Sequence, residues 1–136
     1  MNKRVRSEYG RLRKKGWPAK DALRAARVKD AFDDLENAGL VKFEVLMDPE
    51  CHDASYVDTW IDKSEAWRQR TKREIRDRAD QEGTWGIVTS IRASEDAGWE
   101  EVDSVWDFVG DDWKDSGYDT DVMNSAVDAV QKKVAA

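Results

Sequence analysis

The stretch SVWDFVGDDWKDSGYDTD, residues 104–121, carries six aspartates among two tryptophans, a phenylalanine and a tyrosine. We call this stretch the acidic segment. Carboxylates at this density could bind a metal ion, act in acid–base catalysis, or present a surface that imitates the charge of phosphates. Alternatively, they form an ordinary solvated loop that the aromatic side chains hold in place. Each of these chemistries requires its own spacing and its own neighbouring residues, which the sequence can be compared with.

The spacing of the acidic segment does not fit a calcium loop of the EF-hand type. Such a loop needs acidic side chains at its first, third and fifth positions and a glycine at its sixth. A loop that begins at Asp111 would place Trp113 third and Ser116 sixth. A loop that begins at Asp115 would place Gly117 third. The sequence therefore predicts no calcium loop here.

Residue patterns of known catalytic sites are also missing. With 29 acidic residues in the chain, two neighbouring carboxylates are expected by chance and indicate no catalytic pair. Cys51 and His52 are the single cysteine and the single histidine, so a transition-metal site would need carboxylates for all its other ligands. No glycine-rich phosphate loop follows a predicted strand. We therefore expect no enzyme, no metal and no cofactor.

Charge is divided unevenly along the chain, although the net charge is only −6. Residues 1–30 hold eleven lysines and arginines against three acids, a balance of +8. Residues 95–121 hold eleven acids against Lys114 alone, a balance of −10. Such an asymmetry bears on partners rather than on fold. Two copies could also associate head to tail through their oppositely charged halves.

The basic half is predicted to form two helices joined by a Gly-Trp-Pro turn at residues 16–18. Two helices with a dense positive face could follow the phosphates of DNA or RNA. Alternatively, this face only offsets the acidic half of the same molecule. A small nucleic-acid-binding regulator is therefore the second hypothesis, and it would use Arg4, Arg6, Arg11, Arg13, Lys14, Lys15 and Arg24.

The periodicity of apolar residues and the turn residues predict seven elements. We expect helices over residues 2–16, 18–39, 64–83 and 121–134, and strands over residues 40–48, 84–92 and 99–106. Pro18 is expected at the first helical position of the second helix, and Asp119 or Thr120 as the cap of the last one. The order ααβαββα indicates an α+β fold, with a small three-stranded, mostly antiparallel sheet and about four helices.

Three tryptophans, Trp99, Trp106 and Trp113, recur at intervals of seven residues through the acidic half. Large aromatic side chains are most often buried, so we expect about two of the three to lie in the core. A tryptophan that stayed exposed would suit the centre of a binding interface.

Length and composition indicate one domain over residues 1–136, with a basic helical pair at 1–39 and the remainder at 40–136. No apolar run approaches the roughly 20 residues of a membrane helix. A lone cysteine suits a reducing compartment. We therefore expect a cytoplasmic protein that does not associate with membranes.

Residues 99–113, WEEVDSVWDFVGDDW, resemble a pattern in short uncharacterised proteins of bacteriophages and other mobile elements. The pattern runs through Trp99, Asp103-Ser104, Val105, Trp106, Phe108-Val109 and Asp111-Asp112. The resemblance is confined to the C-terminal part of the chain and assigns no activity to any residue. It implies an origin among small acidic proteins that often inhibit host defence, including CRISPR effectors and restriction enzymes.

We therefore expect a non-enzymatic binding protein of a phage or mobile element that inhibits a host nucleic-acid-handling defence protein. Closely spaced carboxylates on a rigid frame can occupy a phosphate-binding surface, because they exert the same attraction as DNA. The partner is accordingly a host protein with a basic surface. The residues predicted to contact it are Asp107, Asp111, Asp112, Asp115, Asp119 and Trp113.

Overall fold

A computed structural model describes residues 1–48 and 54–135. Within them the chain forms four α-helices and a three-stranded antiparallel sheet, in the order ααβαββα, which confirms the predicted α+β fold. A short 3-10 helix precedes the third α-helix. The elements are α1 (Lys3–Lys14), α2 (Ala19–Asn37), β1 (Val41–Met47), the 3-10 helix (Ser55–Thr59), α3 (Glu65–Glu82), β2 (Thr84–Ile91), β3 (Glu100–Val109) and α4 (Tyr118–Ala135).

Local side-chain and backbone chemistry sets where the helices begin and end. Asn2 caps α1 by accepting a hydrogen bond from the Val5 amide at 2.8 Å. Ser64 caps α3 in the same way, because its hydroxyl accepts from the Trp67 amide at 3.1 Å. Gly39 follows α2 with a φ of +77°, a left-handed conformation that favours glycine. Pro18 is the cap before α2 rather than its first helical residue, because its ψ of 146° is extended.

The sheet has β2 at its centre, with β1 and β3 antiparallel on either side. The register between β1 and β2 is regular over all seven residues of β1. The register between β2 and β3 shifts between Trp85 and Ile87, so that Gly86 lies opposite two residues, Trp106 and Asp107. This is a β-bulge, and Asp107 adopts a φ of +72° in it.

Helices α2 and α4 cover one face of the sheet and form the main core with it. The hydroxyl of Thr89, a buried β2 residue, donates to the Val122 carbonyl of α4 at 2.8 Å. Ser125 of α4 donates to the Asp103 carboxylate of β3, also at 2.8 Å. The buried residues of this core are Phe32, Val41, Ile91, Ala126, Val127 and Val130.

A second, smaller core joins the two basic helices. Leu12 of α1 packs against Ala22 and Ala25 of α2, with Tyr9 and Trp17 at the margin. Small alanines on α2 allow the two helices to approach closely. Helix α1 is thereby fixed to the body of the protein through α2.

The acidic segment differs from its predicted outline at both ends. Strand β3 extends to Val109, three residues beyond the predicted end, because the bulge at Asp107 lets pairing with β2 continue. Helix α4 begins at Tyr118, so Asp119 and Thr120 lie inside its first turn rather than before it. Residues 110–117, which we call the connector, join β3 to α4.

Candidate functional site

The connector lies against α1, and this is where the acidic and basic halves meet. The Arg11 guanidinium donates to both carboxylate oxygens of Asp115, from Nη1 at 2.9 Å and from Nη2 at 2.8 Å. Lys15 also donates to Asp115, and Arg11 binds Glu8 on its own helix. These cations hold the pKa of Asp115 far below the usual range of an aspartate. Asp115 therefore binds within the chain and ties the connector to α1.

Asp112 is held by α3 in a similar way. The Arg78 guanidinium donates to its two carboxylate oxygens, each at 2.7 Å. The same arginine forms an ion pair with Glu82 at 2.7 Å. These hydrogen bonds lower the pKa of Asp112. Two predicted partner-binding aspartates, Asp112 and Asp115, thus anchor the connector at both of its sides.

Asp119 and Trp113 also serve the internal structure of the connector. The Asp119 carboxylate accepts from the amides of Asp115 at 3.3 Å and Gly117 at 3.2 Å, and its burial raises its pKa. Trp113 is half-buried and packs on Phe43 of β1, with ring centroids 5.5 Å apart. These contacts shape the turn that leads into α4.

Asp107 and Asp111 are the predicted site residues that point most freely to solvent. The Asp111 side chain is 81% exposed, and its ion pair with Lys114 is long, at 3.6 Å. Asp107 is exposed and forms no ion pair with any residue of the described ranges. The pKa of Tyr56 is raised by burial and by the carboxylates of Asp112 and Asp107. Asp107 therefore lies close enough for its charge to act on that tyrosine.

The expected burial of the three recurring tryptophans is wrong. Trp99 and Trp106 are 38% and 40% exposed, and Trp113 is only half-buried. Trp106 is displaced outward because it lies in the bulge, on the sheet face opposite to α4. Gly86 carried a signal for this that the prediction did not use, since a glycine inside a strand often marks a bulge or a close contact.

Most of the basic residues assigned to the alternative function have partners within the chain. Arg4 pairs with Asp30 at 2.9 Å and Asp34 at 2.6 Å, and Arg24 approaches Asp121 to 3.6 Å. Arg11 and Lys15 bind Asp115, as described above. Arg13 donates to the Trp17 carbonyl at 2.8 Å and Arg6 to that of Met1 at 3.5 Å, whereas Lys14 has no ion pair within the described residues.

A cavity of about 410 Å³ lies between α1, α2, β1 and the connector. Its apolar walls include Leu12, Phe43 and Trp113, and it reaches the charged side chains of Glu8 and Arg11. These two charges are already paired with each other. The cavity therefore has the size of a small-molecule pocket, and the charges of Glu8 and Arg11 on its wall neutralise each other.

The described part of the chain also bears on metal binding and on membrane-spanning helices. Within residues 1–48 and 54–135, no group of three or more acidic, cysteine or histidine residues is placed to hold a metal ion. Cys51 and His52, for which the sequence predicts no metal site, lie outside the described residues. Of the helices in the described ranges, none has the length and apolar character needed to cross a membrane.

Comparison of the chain with protein-family models, with curated proteins and with solved structures gives no match.

Proposed function

We propose that this chain is a non-enzymatic binding protein whose acidic side engages a basic surface on a partner protein. The observation that carries the proposal is the pairing of exposed charge with exposed aromatic surface at the bulge of β3. Asp107 is unpaired among the described residues and directly follows Trp106, which is 40% exposed. Exposed tryptophans on a rigid frame are typical centres of binding energy.

The six residues predicted from the sequence divide into two roles in this proposal. Asp107 and Asp111 supply charge to the partner, because they have the weakest internal engagement. The other four residues contact other parts of the same chain and hold the connector in place, as a frame for those two charges. They are Asp112, Asp115, Asp119 and Trp113. A fixed frame lowers the entropy cost of binding, since the connector does not have to be ordered on contact.

A host protein that handles nucleic acid is the partner class that we propose. Residues 95–121 carry a balance of −10, and closely spaced carboxylates attract the basic channels that otherwise hold phosphates. The resemblance of residues 99–113 to proteins of phages and mobile elements adds a defence protein, such as a CRISPR effector, as the candidate. The chain would then act in the host cytoplasm as an inhibitor.

The proposal is tested by affinity capture from bacterial lysate, with bound proteins quantified by mass spectrometry. We expect the double variant Asp107→Lys, Asp111→Lys to lose a protein that the unaltered chain retains. A matched control reverses two exposed acids elsewhere, Glu36 and Asp128, and is expected to retain it. Equal capture by all three chains would contradict the proposal, provided that circular dichroism shows all three folded.

Nucleic-acid binding by the basic helices is the second candidate, and specific residues favour it. Lys14, Lys20 and Arg27 are exposed on α1 and α2 and form no ion pair within the described residues. They could contact phosphates without breaking any internal contact. A fluorescence anisotropy titration with duplex DNA discriminates the candidates, because only the second predicts binding that weakens when Lys14 and Arg27 are replaced by Gln.

A further inference from the structure

The Trp106 ring lies flat on the sheet over Gly86, which has no side chain. A Cβ atom built on Gly86 would lie 2.1 Å from Cε3 of the Trp106 ring, so the ring occupies the space of the missing side chain. The indole nitrogen donates to the Ser104 hydroxyl at 3.2 Å, which fixes the orientation of the ring. One surface of the indole therefore faces the sheet, and the 40% of the residue that is exposed is directed to solvent.

Three other tryptophans, Trp67, Trp99 and Trp113, have a cation of the chain over the ring. Trp99 has the Arg92 guanidinium carbon 4.3 Å and the Lys42 ammonium 4.7 Å from its ring centroid. The ammonium groups of Lys63 and Lys114 lie 5.3 Å from Trp67 and 5.7 Å from Trp113, respectively. Within the described residues no cation lies over Trp106, although its π surface has the same attraction for positive charge.

The charges next to Trp106 also favour a cation. Asp107 follows it in the chain, is exposed, and has no ion pair in the described ranges. Asp112 lies in the same region, since both carboxylates raise the pKa of Tyr56, but its charge is paired with Arg78. Asp107 therefore supplies the negative charge that is not paired within the described residues. A phosphate or nucleic-acid backbone would be repelled here, whereas a positive side chain would be attracted.

From these observations we infer that Trp106 and Asp107 form a subsite for an arginine side chain of the partner protein. The inference rests on the proposed function and specifies the chemistry of its partner. A guanidinium is planar, so it can stack on the open surface of the indole and still donate hydrogen bonds to a neighbouring carboxylate. Lysine places its compact charge at one of these positions and fits the subsite less well.

The inference is tested by NMR titration of the full chain with a short oligoarginine peptide. The seven tryptophans give indole N–H signals, and Trp106→Phe identifies the one that belongs to Trp106. We expect this signal to shift most on titration, and an oligolysine peptide of equal length to bind more weakly. Trp106→Leu and Asp107→Asn are each expected to weaken oligoarginine binding about two- to fivefold. Asn is chosen because it also tolerates positive φ.

The matched control is Trp99→Leu, since Trp99 is exposed to the same extent but already covered by Arg92 and Lys42. It is expected to leave oligoarginine binding unchanged. Equal losses in the Trp99 and Trp106 variants, or equal binding of oligolysine, would overturn the inference. If Trp106→Leu fails to fold, Trp106→Phe replaces it, with a smaller loss expected.

Failure of the inference is distinguishable from failure of the proposed function. If Asp107→Lys with Asp111→Lys abolishes both lysate capture and peptide binding while Trp106→Leu changes neither, the acidic surface stands and the arginine subsite is wrong. If the reversed chain captures the same proteins as the unaltered chain, the proposed function itself fails.

Discussion

At the scale of single residues, the position of the Trp106 ring on the surface depends on the absence of a side chain at Gly86. The ring occupies the space that a side chain at Gly86 would fill, and the bulge places Asp107 beside it with a φ of +72°. Aspartate tolerates this left-handed conformation better than most residues, because its short side chain can hydrogen-bond locally. The Trp106 ring is thus positioned by the space over Gly86 together with the hydrogen bond to Ser104.

Replacing Gly86 with alanine is therefore expected to destabilise the protein by about 1–3 kcal/mol, since the new methyl group must displace the Trp106 ring. Urea denaturation followed by circular dichroism measures this loss. Gly98→Ala is the matched control, because a Cβ there meets no atom within 4 Å, and it should change the free energy of unfolding very little. If both substitutions have the same effect, the Trp106 ring does not depend on Gly86.

At the scale of elements, the connector is held at two points by arginine–carboxylate pairs. It runs from the Asp112–Arg78 pair on α3 to the Asp115–Arg11 pair on α1. Its apolar support is the contact of Trp113 with Phe43. Bidentate arginine–carboxylate pairs fix direction as well as distance, so the connector is held in one conformation.

Loss of the carboxylate in Asp115→Asn is expected to lower the free energy of unfolding at pH 7 by about 1–2 kcal/mol. Hydrogen bonds to charged groups contribute about 1.5–3 kcal/mol, and the 41% exposure of the Arg11 side chain reduces this through solvent screening. Asp121→Asn is the control, because its partner Arg24 lies 3.6 Å away and both side chains are more than half exposed. Its expected effect is close to zero.

The difference between the unaltered chain and Asp115→Asn should disappear in acid. The folded chain lowers the pKa of Asp115, so its stabilisation is complete above about pH 4 and is lost as the pH falls towards the lower folded-state value. Asp119 acts in the opposite sense, because its raised pKa favours the folded state at low pH. Urea midpoints of both chains from neutral to acidic pH measure the difference, and a constant gap would contradict the assignment.

The elements themselves were largely predictable, because their signals are local. Ser64 at the start of α3, Gly39 at the end of α2 and the alternating residue types from Val41 to Val45 each depend on neighbouring residues. The end of β3 was missed, because it depends on a bulge at an aspartate with positive φ, and the prediction did not use Gly86 as a sign of that bulge. The contact between Arg11 and Asp115 spans 104 residues, and no pattern in the sequence specifies it. It arises only when α1 packs on α2 and the connector passes beside them.

At the scale of the whole molecule, the two oppositely charged halves are neighbours and partly neutralise each other. Arg11 and Lys15 bind Asp115, and Arg24 approaches Asp121. These are cations that nucleic-acid binding would need and anions that a basic partner would need. The contacts favour neutralisation within one chain over head-to-tail association of two copies, because the paired charges are already engaged.

Asp115 neutralises positive charge on the basic helices, and we expect this to weaken DNA binding. Asp115→Asn releases Lys15 and leaves Arg11 with Glu8 as its remaining partner, so the variant should bind duplex DNA more tightly than the unaltered chain does at low salt. The slope of log K against log salt concentration should steepen by about 1, since one more phosphate is neutralised. Anisotropy titrations at about 50 and 200 mM NaCl measure both quantities.

Asp121→Asn is again the control, because it releases only Arg24, which is 54% exposed in the intact chain. The prediction is contradicted if the unaltered chain already binds DNA as tightly as Asp115→Asn does and Arg11→Gln weakens that binding. In that case Asp115 does not neutralise the basic helices, and these helices rather than the acidic side carry the function.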